Sequence, residues 1–533
     1  MNTLLLLSAI VLVACIAGNK LSSRIGVPTL FFFIALGMLF GSDGLFKIEF
    51  SDYSFSEQVC SAALIIIMFY GGFGTKWSAA RPVAKKAVLL STLGVLITAG
   101  LTGLFCHFAL GTSLAEGLLI GSVLGSTDAA SVFSILRSQR LNLKYGTASM
   151  LEIESGSNDP CAYMLTIVLL SALEGGLSPA QIAYSVFAQL VYGATIGAAI
   201  ALGAGWVLRH IRLGDNGLDS IFLVAAALAS YALPSLIGGN GYLSAYIAGI
   251  LLGNQDLPHK RSLVDFFDAF NGMMQMLIFF LLGLLVFPSR LPEYFLPSLL
   301  IALFLTFLAR PIAVALLLTP FRAPLRQQLI VSWAGLRGAA SIVFAIVAVV
   351  SPAYGKDSIF QIVFCVVLLS IFFQGTLLPR VARKADMLDS RENVLRTFTD
   401  YSEETSIQFI RLEIAPGHPW CDQYIRDLNI VPGTLIAAVL RQDEVIMPKG
   451  DTRLQDGDAV ILGAKGYCGK DGIELHERTV EPGHRFIGQP LRACEFRKDT
   501  LVVLIQRAGA DIIPDGETRI QEGDTLVPYH KRN

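Results

Sequence analysis

The amino-acid sequence predicts a polytopic α-helical membrane protein of about thirteen transmembrane helices, two of them broken and related by an inverted repeat, followed by small α+β modules. Three observations lead there. Of 533 residues, 53% are hydrophobic, and a mean hydropathy of +0.59 is too high for a soluble protein of this size. Charge is unevenly spread: residues 1–385 hold 40 of the 83 Asp, Glu, Lys and Arg, and the last 148 hold 43. A membrane domain is therefore followed by a soluble one. Lastly, a motif occurs twice, as Gly-Ser-Thr-Asp-Ala-Ala-Ser over Gly125–Ser131 and Gly-Leu-Arg-Gly-Ala-Ala-Ser over Gly335–Ser341.

Apolar runs long enough to span a bilayer fall near 3–18, 27–42, 57–74, 86–107, 113–137, 147–173, 179–208, 217–236, 238–254, 263–286, 293–319, 326–350 and 357–379. Met1–Asn19 has no Lys or Arg ahead of its apolar run, so it reads as a retained first helix and not as a signal peptide. The connecting loops test the count. One alternating set carries eighteen Lys and Arg, from Lys20 and Arg24 to Arg383 and Lys384, and the other set only Lys47, Arg290 and Lys356. By the positive-inside rule this puts the N-terminus outside and the tail in the cytoplasm of a multi-pass protein facing lipid along its spans.

The count gives the repeat its meaning. The two motifs lie in spans five and twelve, which cross in opposite directions, and paired interruptions at matching positions point to a transporter's binding site. Glycine beside Thr127-Asp128 or Arg337 favours a local helix break, whose freed backbone groups must line protein or a cavity. An intramembrane charge is costly and marks a functional site by default. Span six adds Leu151-Glu-Ile-Glu-Ser-Gly-Ser-Asn-Asp159. There Glu154, Ser155, Asn158 and Asp159 are three or four residues apart and share one side of a helix. Carboxylate, hydroxyl and carbonyl oxygens suit a hard alkali cation, with no His or Cys for a transition metal. Asp159 can hold a proton or a dehydrated cation, because burial favours its neutral form and a nearby cation its charged form. Asp128 reads equally as a ligand or as the cap of a half-helix. The carboxylates need compensation, and Arg337 is the expected partner of Glu154; Arg310, before Pro311, is a second intramembrane cation.

These residues carry a resemblance. Thr127-Asp128, the run Glu154-Ser155-Gly-Ser-Asn158-Asp159 and Gly335-Leu-Arg337-Gly are similar to the signature of cation/proton antiporters of the NhaP type. The fuller run Leu151–Thr166, with Pro160, resembles most the potassium/proton branch called cell volume regulation proteins, and Phe69-Tyr-Gly-Gly72 also resembles a family motif. The likeness covers roughly residues 1–385. It implies an NhaA-like antiporter fold with crossing broken helices, and a homodimer with a scaffold and a mobile core. It makes Asp159 the shared cation/proton carboxylate, helped by Thr127, Asp128 and Ser155, with Glu154, Asn158 and Arg337 stabilising the core. Asn in place of Asp at 158 goes, in that family, with electroneutral exchange. Potassium or sodium would be the cation exchanged for protons, and cavity geometry, not sequence, decides between them.

The tail is itself a repeat. Residues 411–466 and 477–532 align without gaps at an offset of 66, matching His418 with His484, Arg441 with Arg507 and Asp458 with Asp524. Both copies resemble the RCK-C (TrkA-C) module of potassium-conductance regulators, with short strands near Thr434–Leu440 and Leu501–Ile505. His418, Arg441, His484 and Arg507 are candidate contacts for an anionic, nucleotide-like cytoplasmic regulator, or else turn and packing residues. The tail shows no GxGxxG after a strand, so a companion dinucleotide-binding domain is not expected. The expected domains are 1–385 in the membrane, a linker over 386–404, and modules over 405–468 and 469–533.

Other classes fit less well. A net charge of -1 gives no footing for nucleic acid. Eight scattered cysteines suggest neither a disulfide framework nor a metal site. The chain has no Thr-Val-Gly-Tyr-Gly filter for a ligand-gated potassium channel, and no nucleophile–base pair for an enzyme; no cofactor is expected.

Overall fold

The computed structural model describes residues 9–11, 13–18, 29–138, 141, 143–175, 178–211, 217–388, 407–415, 418–428, 430, 434–441, 444–465, 473–475, 478–480, 485–494, 500–507, 510–512 and 514–531. It divides into two compact units, Met1–Ser402 and Glu403–Asn533.

Among its described residues, the first unit is built of helices, with one isolated bridge of Leu143 to Leu388. Among the described residues, seven helices are long and apolar enough to cross a membrane: Tyr53–Gly74, Ala84–Leu110, Pro179–His210, Leu218–Leu236, Ser262–Leu284, Pro288–Phe321 and Ser358–Lys384. Shorter apolar helices fill the remaining places, among them Thr29–Phe40 and Gly241–Gly253. Of the first expected span, residues 9–11 and 13–18 are helical, and residues 1–8 lie outside the described ones. Start signals are local. Asp52 accepts from Phe55 N at 2.9 Å, and Ser178 forms a capping box with Gln181 ahead of Pro179. Asn240 accepts from Leu243 N at 3.0 Å and anchors its amide on Pro160 O at 2.8 Å, tying this cap to helix Thr147–Gly175.

Glycines set the tightest helix seams. Gly72 lies against the backbone of Tyr246, and Gly249 and Gly253 against Phe69 O and Phe73 O, so a Cβ at any of the three would overlap its partner's backbone. The Phe69–Gly72 motif is therefore a helix-crossing device. Leu202, Trp206, Ile221, Leu296, Phe307 and Leu316 are exposed on the outside of the bundle, an apolar surface that lipid, not water, suits.

Spans five and twelve are broken, as expected. The first consists of Leu114–Val123 and Ala129–Ser138 around a non-helical stretch, the second of Leu325–Trp333 and Ala339–Val350. Three long spans also contain a π-helical turn, at Leu90–Gly94, Leu305–Ala309 and Ser370–Gly375. Such wide turns re-aim the residues that follow them.

The second unit holds two sheets. The first has order β1-β4-β2-β3, from Ile407–Glu413 (β1), Thr434–Arg441 (β2), Glu444–Ile446 (β3) and Ala459–Lys465 (β4). The second has order β5-β9-β7-β8, from Ile473–Leu475 (β5), Thr500–Arg507 (β7), Ala510–Ile512 (β8) and Thr525–Lys531 (β9), with Arg478–Thr479 (β6) also paired to β9. The repeat holds in detail: β2 bulges between Ile436 and Ala438, and β7 between Val502 and Leu504, the same place 66 residues on.

Candidate cation site

The two helix breaks cross each other. Asp128 N donates to Leu336 O at 2.7 Å, and Arg337 Nη1 donates to Gly125 O at 3.1 Å and Ser126 O at 2.8 Å. These carbonyls have lost their helical partners through the break, and a buried guanidinium supplies the donors. Gly338 sits so close to the Asp128 side chain that a Cβ there would overlap it. Asp128 accepts from Ser131 N at 3.2 Å and from Ser131 Oγ, so it caps the half-helix Ala129–Ser138.

Helix Thr147–Gly175 grips the first break along one face. Ser155 Oγ donates to Thr127 O at 2.7 Å and accepts from Ala129 N at 2.9 Å; Asn158 Nδ2 donates to Thr127 Oγ1 at 2.5 Å; Asp159 accepts from Ser126 Oγ. The three- and four-residue spacing read from sequence thus brings Ser155, Asn158 and Asp159 onto Ser126 and Thr127.

One expected partnership differs. Glu154 pairs with Arg310, Nη2 to Oε1 at 2.5 Å, and not with Arg337. Both side chains are buried, at 1% and 4% exposure. Arg337 is engaged by the carbonyls of the first break, whereas Arg310 follows the π-turn Leu305–Ala309 and lies against Gly335, where a Cβ would come within 2.9 Å of its Nε. Spacing along the chain could not distinguish the two arginines.

A cavity of about 410 Å³ opens onto the crossing. Four carboxylates line it, Asp128, Glu152, Asp159 and Asp268, and among the described lining residues there is no Lys, Arg or His. Asp159 is 5% exposed. The facing wall is Lys260–Leu284, where Tyr70 Oη donates to Asp268 Oδ1 at 2.8 Å and Asn271 and Gln275 follow on the same face. Such a cavity attracts cations and repels anions. Ser126, Glu152 and Asp268 were not singled out from sequence. For Glu152 a signal existed, since it precedes Asp159 by two helical turns; for Asp268, on a distant helix, there was none.

The tail candidates divide differently. Arg441 donates to both carboxylate oxygens of buried Asp458 at 2.8 Å and to Arg453 O at 2.9 Å. Arg507 makes the same set with Asp524 and Arg519 O. The repeated arginines are therefore bound within their own modules. His418 Nδ1 accepts from Trp420 N at 3.1 Å in a local turn, and His484 lies outside the described residues.

Comparison with known proteins agrees with this architecture. The family described as sodium/hydrogen exchanger, transmembrane, matches residues 10–384, and the TrkA-C domain matches 409–465 and 475–527. The chain is 35% identical to the K(+)/H(+) antiporter NhaP2 of Shewanella baltica, covering 86% of this chain and 81% of that one. It is 34% identical to the K(+)/H(+) antiporter NhaP of Alkalimonas amylolytica, covering 86% and 80%. The solved sodium proton antiporter MjNhaP1 from Methanocaldococcus jannaschii superimposes with a TM-score of 0.63 at 24% identity, covering 72% of this chain and 99% of that one, and so shares its fold. With family, fold and crossed helix breaks in agreement, the chain belongs to the transmembrane sodium/hydrogen exchangers and carries two TrkA-C domains behind its membrane unit.

Proposed function

We propose that this protein is a potassium/proton antiporter in which Asp159 carries the proton in one half-cycle and the cation in the other. The observation that carries the reading is a buried carboxylate, Asp159, beside the crossing of two helix breaks and on the wall of a cavity lined by acids. The relatives named K(+)/H(+) antiporters favour potassium.

The roles follow from the contacts. Asp159 exchanges its ion with the cavity. Ser126, Thr127, Ser155 and Asp128 shape its surroundings and offer oxygens to an alkali cation. Glu154, Arg310, Arg337 and Asn158 hold the broken helices together. Asn158, engaged with Thr127, brings no second titratable carboxyl beside Asp159, which fits one-for-one, electroneutral exchange. We further infer a homodimer in a bacterial inner membrane, N-terminus outside, with residues 1–385 as transporter, 386–404 as linker and 405–468 and 469–533 as regulatory modules. Because Arg441 and Arg507 are committed inside the modules, a soluble regulator would have to be held by other groups.

The test is a proteoliposome assay with an imposed pH gradient, adding potassium and sodium in separate runs. Potassium is expected to collapse the gradient, and Asp159→Asn protein to leave it standing. Collapse by sodium alone would move the reading to a sodium/proton antiporter. Potassium conductance uncoupled from protons would make it a channel.

A further inference from the structure

The end of the last membrane helix contains a residue choice that capping does not explain. Helix Thr376–Lys384 closes with Asp386 N on Arg383 O at 3.1 Å and Met387 N on Ala382 O at 3.1 Å. This is the two-bond C-terminal motif whose pivotal residue is left-handed and ordinarily glycine. Here the pivot is Asp386, at φ +52°. An L-residue other than Gly is disfavoured there, although Asp tolerates it better than most.

The carboxylate is what glycine would lack, and both of its oxygens are engaged. Oδ1 accepts from Lys144 Nζ at 3.1 Å and Oδ2 from Arg326 Nη1 at 2.8 Å. The Lys144 bond, then its charge, holds the Asp386 carboxyl below the usual carboxylate range. Lys144 lies in the segment after half-helix Ala129–Ser138, and Arg326 in the first turn of half-helix Leu325–Trp333. One carboxylate thus joins the segment that follows the first broken helix to the start of the second. The backbone joins in: Leu388 bridges Leu143, and Lys144 N donates to Met387 O at 2.9 Å. Met387 is wholly buried in a cluster with Leu136, Met150 and Ile330. Gln327 Nε2 donates to Thr147 Oγ1 at 3.1 Å and joins the start of the second broken helix to the start of helix Thr147–Gly175.

We propose that Asp386–Leu388 is a positioning clasp that ties the chain leaving the membrane for the tail to the segment after the first broken helix and to the start of the second. Strain on the tail linker then acts on the helix breaks around Asp159. The proposal rests on the antiporter reading for its consequence but not for its existence. Asp386 and Arg326 are about two-thirds exposed, and exposed pairs are individually weak, so the carboxylate can let go while Met387 keeps the chain in place. Such a joint suits a regulatory linker better than a permanent weld.

The experiment uses the full chain with Asp386→Gly, which removes the carboxylate and relaxes the backbone. In proteoliposomes with potassium, the maximal exchange rate should fall about three- to tenfold, the scale of two exposed ion pairs. Apparent potassium affinity should stay within about twofold and the melting temperature should not drop, since glycine is the better cap. Asp386→Asn, which keeps an acceptor oxygen and tolerates the left-handed turn, should recover part of the rate. Hydrogen exchange at the Lys144 amide should be slow in the unaltered protein and at least about tenfold faster in Asp386→Gly. A maximal rate for Asp386→Gly matching the unaltered protein, or a loss appearing only as weaker potassium affinity, overturns the clasp. If the unaltered protein moves no protons with potassium or sodium, the antiporter reading fails instead; the Lys144 amide then decides the clasp, and equal exchange in the two proteins overturns it.

Discussion

Removing one partner of the Glu154–Arg310 pair should harm the membrane unit more than removing both. Nη2 and Oε1 are 2.5 Å apart and the side chains 4% and 1% exposed, so water cannot take over the charge left behind. Glu154 Oε2 and Arg310 Nε offer no second contact to fall back on, since among the described residues neither has a hydrogen-bond partner. Arg310→Met or Glu154→Met alone should therefore cost about 3–5 kcal/mol, whereas the double variant, with apolar groups of similar volume in place of the pair, should lose little. The interaction measured by the cycle is then about 6 kcal/mol or more, the double losing far less than the sum of the singles. The assay is thermal melting of the four proteins in detergent, where each single should lower the midpoint by on the order of 5–10 °C. Additive shifts would refute the pairing. Rescue of Arg337→Met by Glu154→Met, with no rescue of Arg310→Met, would hand the partnership to Arg337.

Four further outcomes are expected. Asp159→Asn should abolish exchange in proteoliposomes while the protein elutes and melts as the unaltered one does; substantial residual exchange would remove Asp159 from the mechanism. If proton and cation compete for Asp159, apparent cation affinity should weaken as pH falls, and affinity constant across a pH series would indicate separate sites. Deleting residues from about 400 onward should leave exchange in place and change how its rate depends on pH and potassium; identical curves for full-length and truncated protein would leave the tail no regulatory part. In the tail, the hydrogen bond from Arg441 holds the Asp458 carboxyl below its ordinary value, and Arg507 does the same for Asp524. A depressed folded-state pKa stabilises above the unfolded carboxylate value of about 3.9 and loses that contribution as pH falls through the folded value. The sheet signal by hydrogen exchange should hold from neutral pH to about 4 and weaken below, while Arg441→Met, leaving Asp458 buried and unpaired, should be weakest at neutral pH and gain on acidification.

Much of this was legible from local pattern. Hydropathy and loop charge gave the membrane unit, and the repeat of the two small-residue motifs, each with an intramembrane charge, gave the two broken helices. The spacing of Ser155, Asn158 and Asp159 gave one face of a helix, since helical periodicity is intrinsic to the chain. The 66-residue offset carried the tail even to its matching bulges. What was not legible depended on which face a span turns to a distant neighbour. The choice of Arg310 over Arg337 rests on a π-turn that periodicity does not announce. Asp268 enters the cavity from a helix more than a hundred residues from Asp159, and Asp386 looked like the start of a linker until its carboxylate was seen between Lys144 and Arg326.

On the proposed role of Asp159 as the shared carboxylate, its contact with Ser126 has a consequence for how the carrier rests between ions. A hydroxyl is both donor and acceptor. Toward an ionised carboxylate it donates; toward a neutral carboxylic acid the same oxygen receives the acid's proton by a simple rotation. Lysine or a backbone amide in that position would favour one charge state and resist the other. Serine is even-handed, so loading with a proton and loading with a metal ion each leave the carboxyl with a satisfied neighbour. An exchanger that must pass through both forms on every turnover gains from such symmetry, because neither form becomes a deep well from which the cycle climbs slowly.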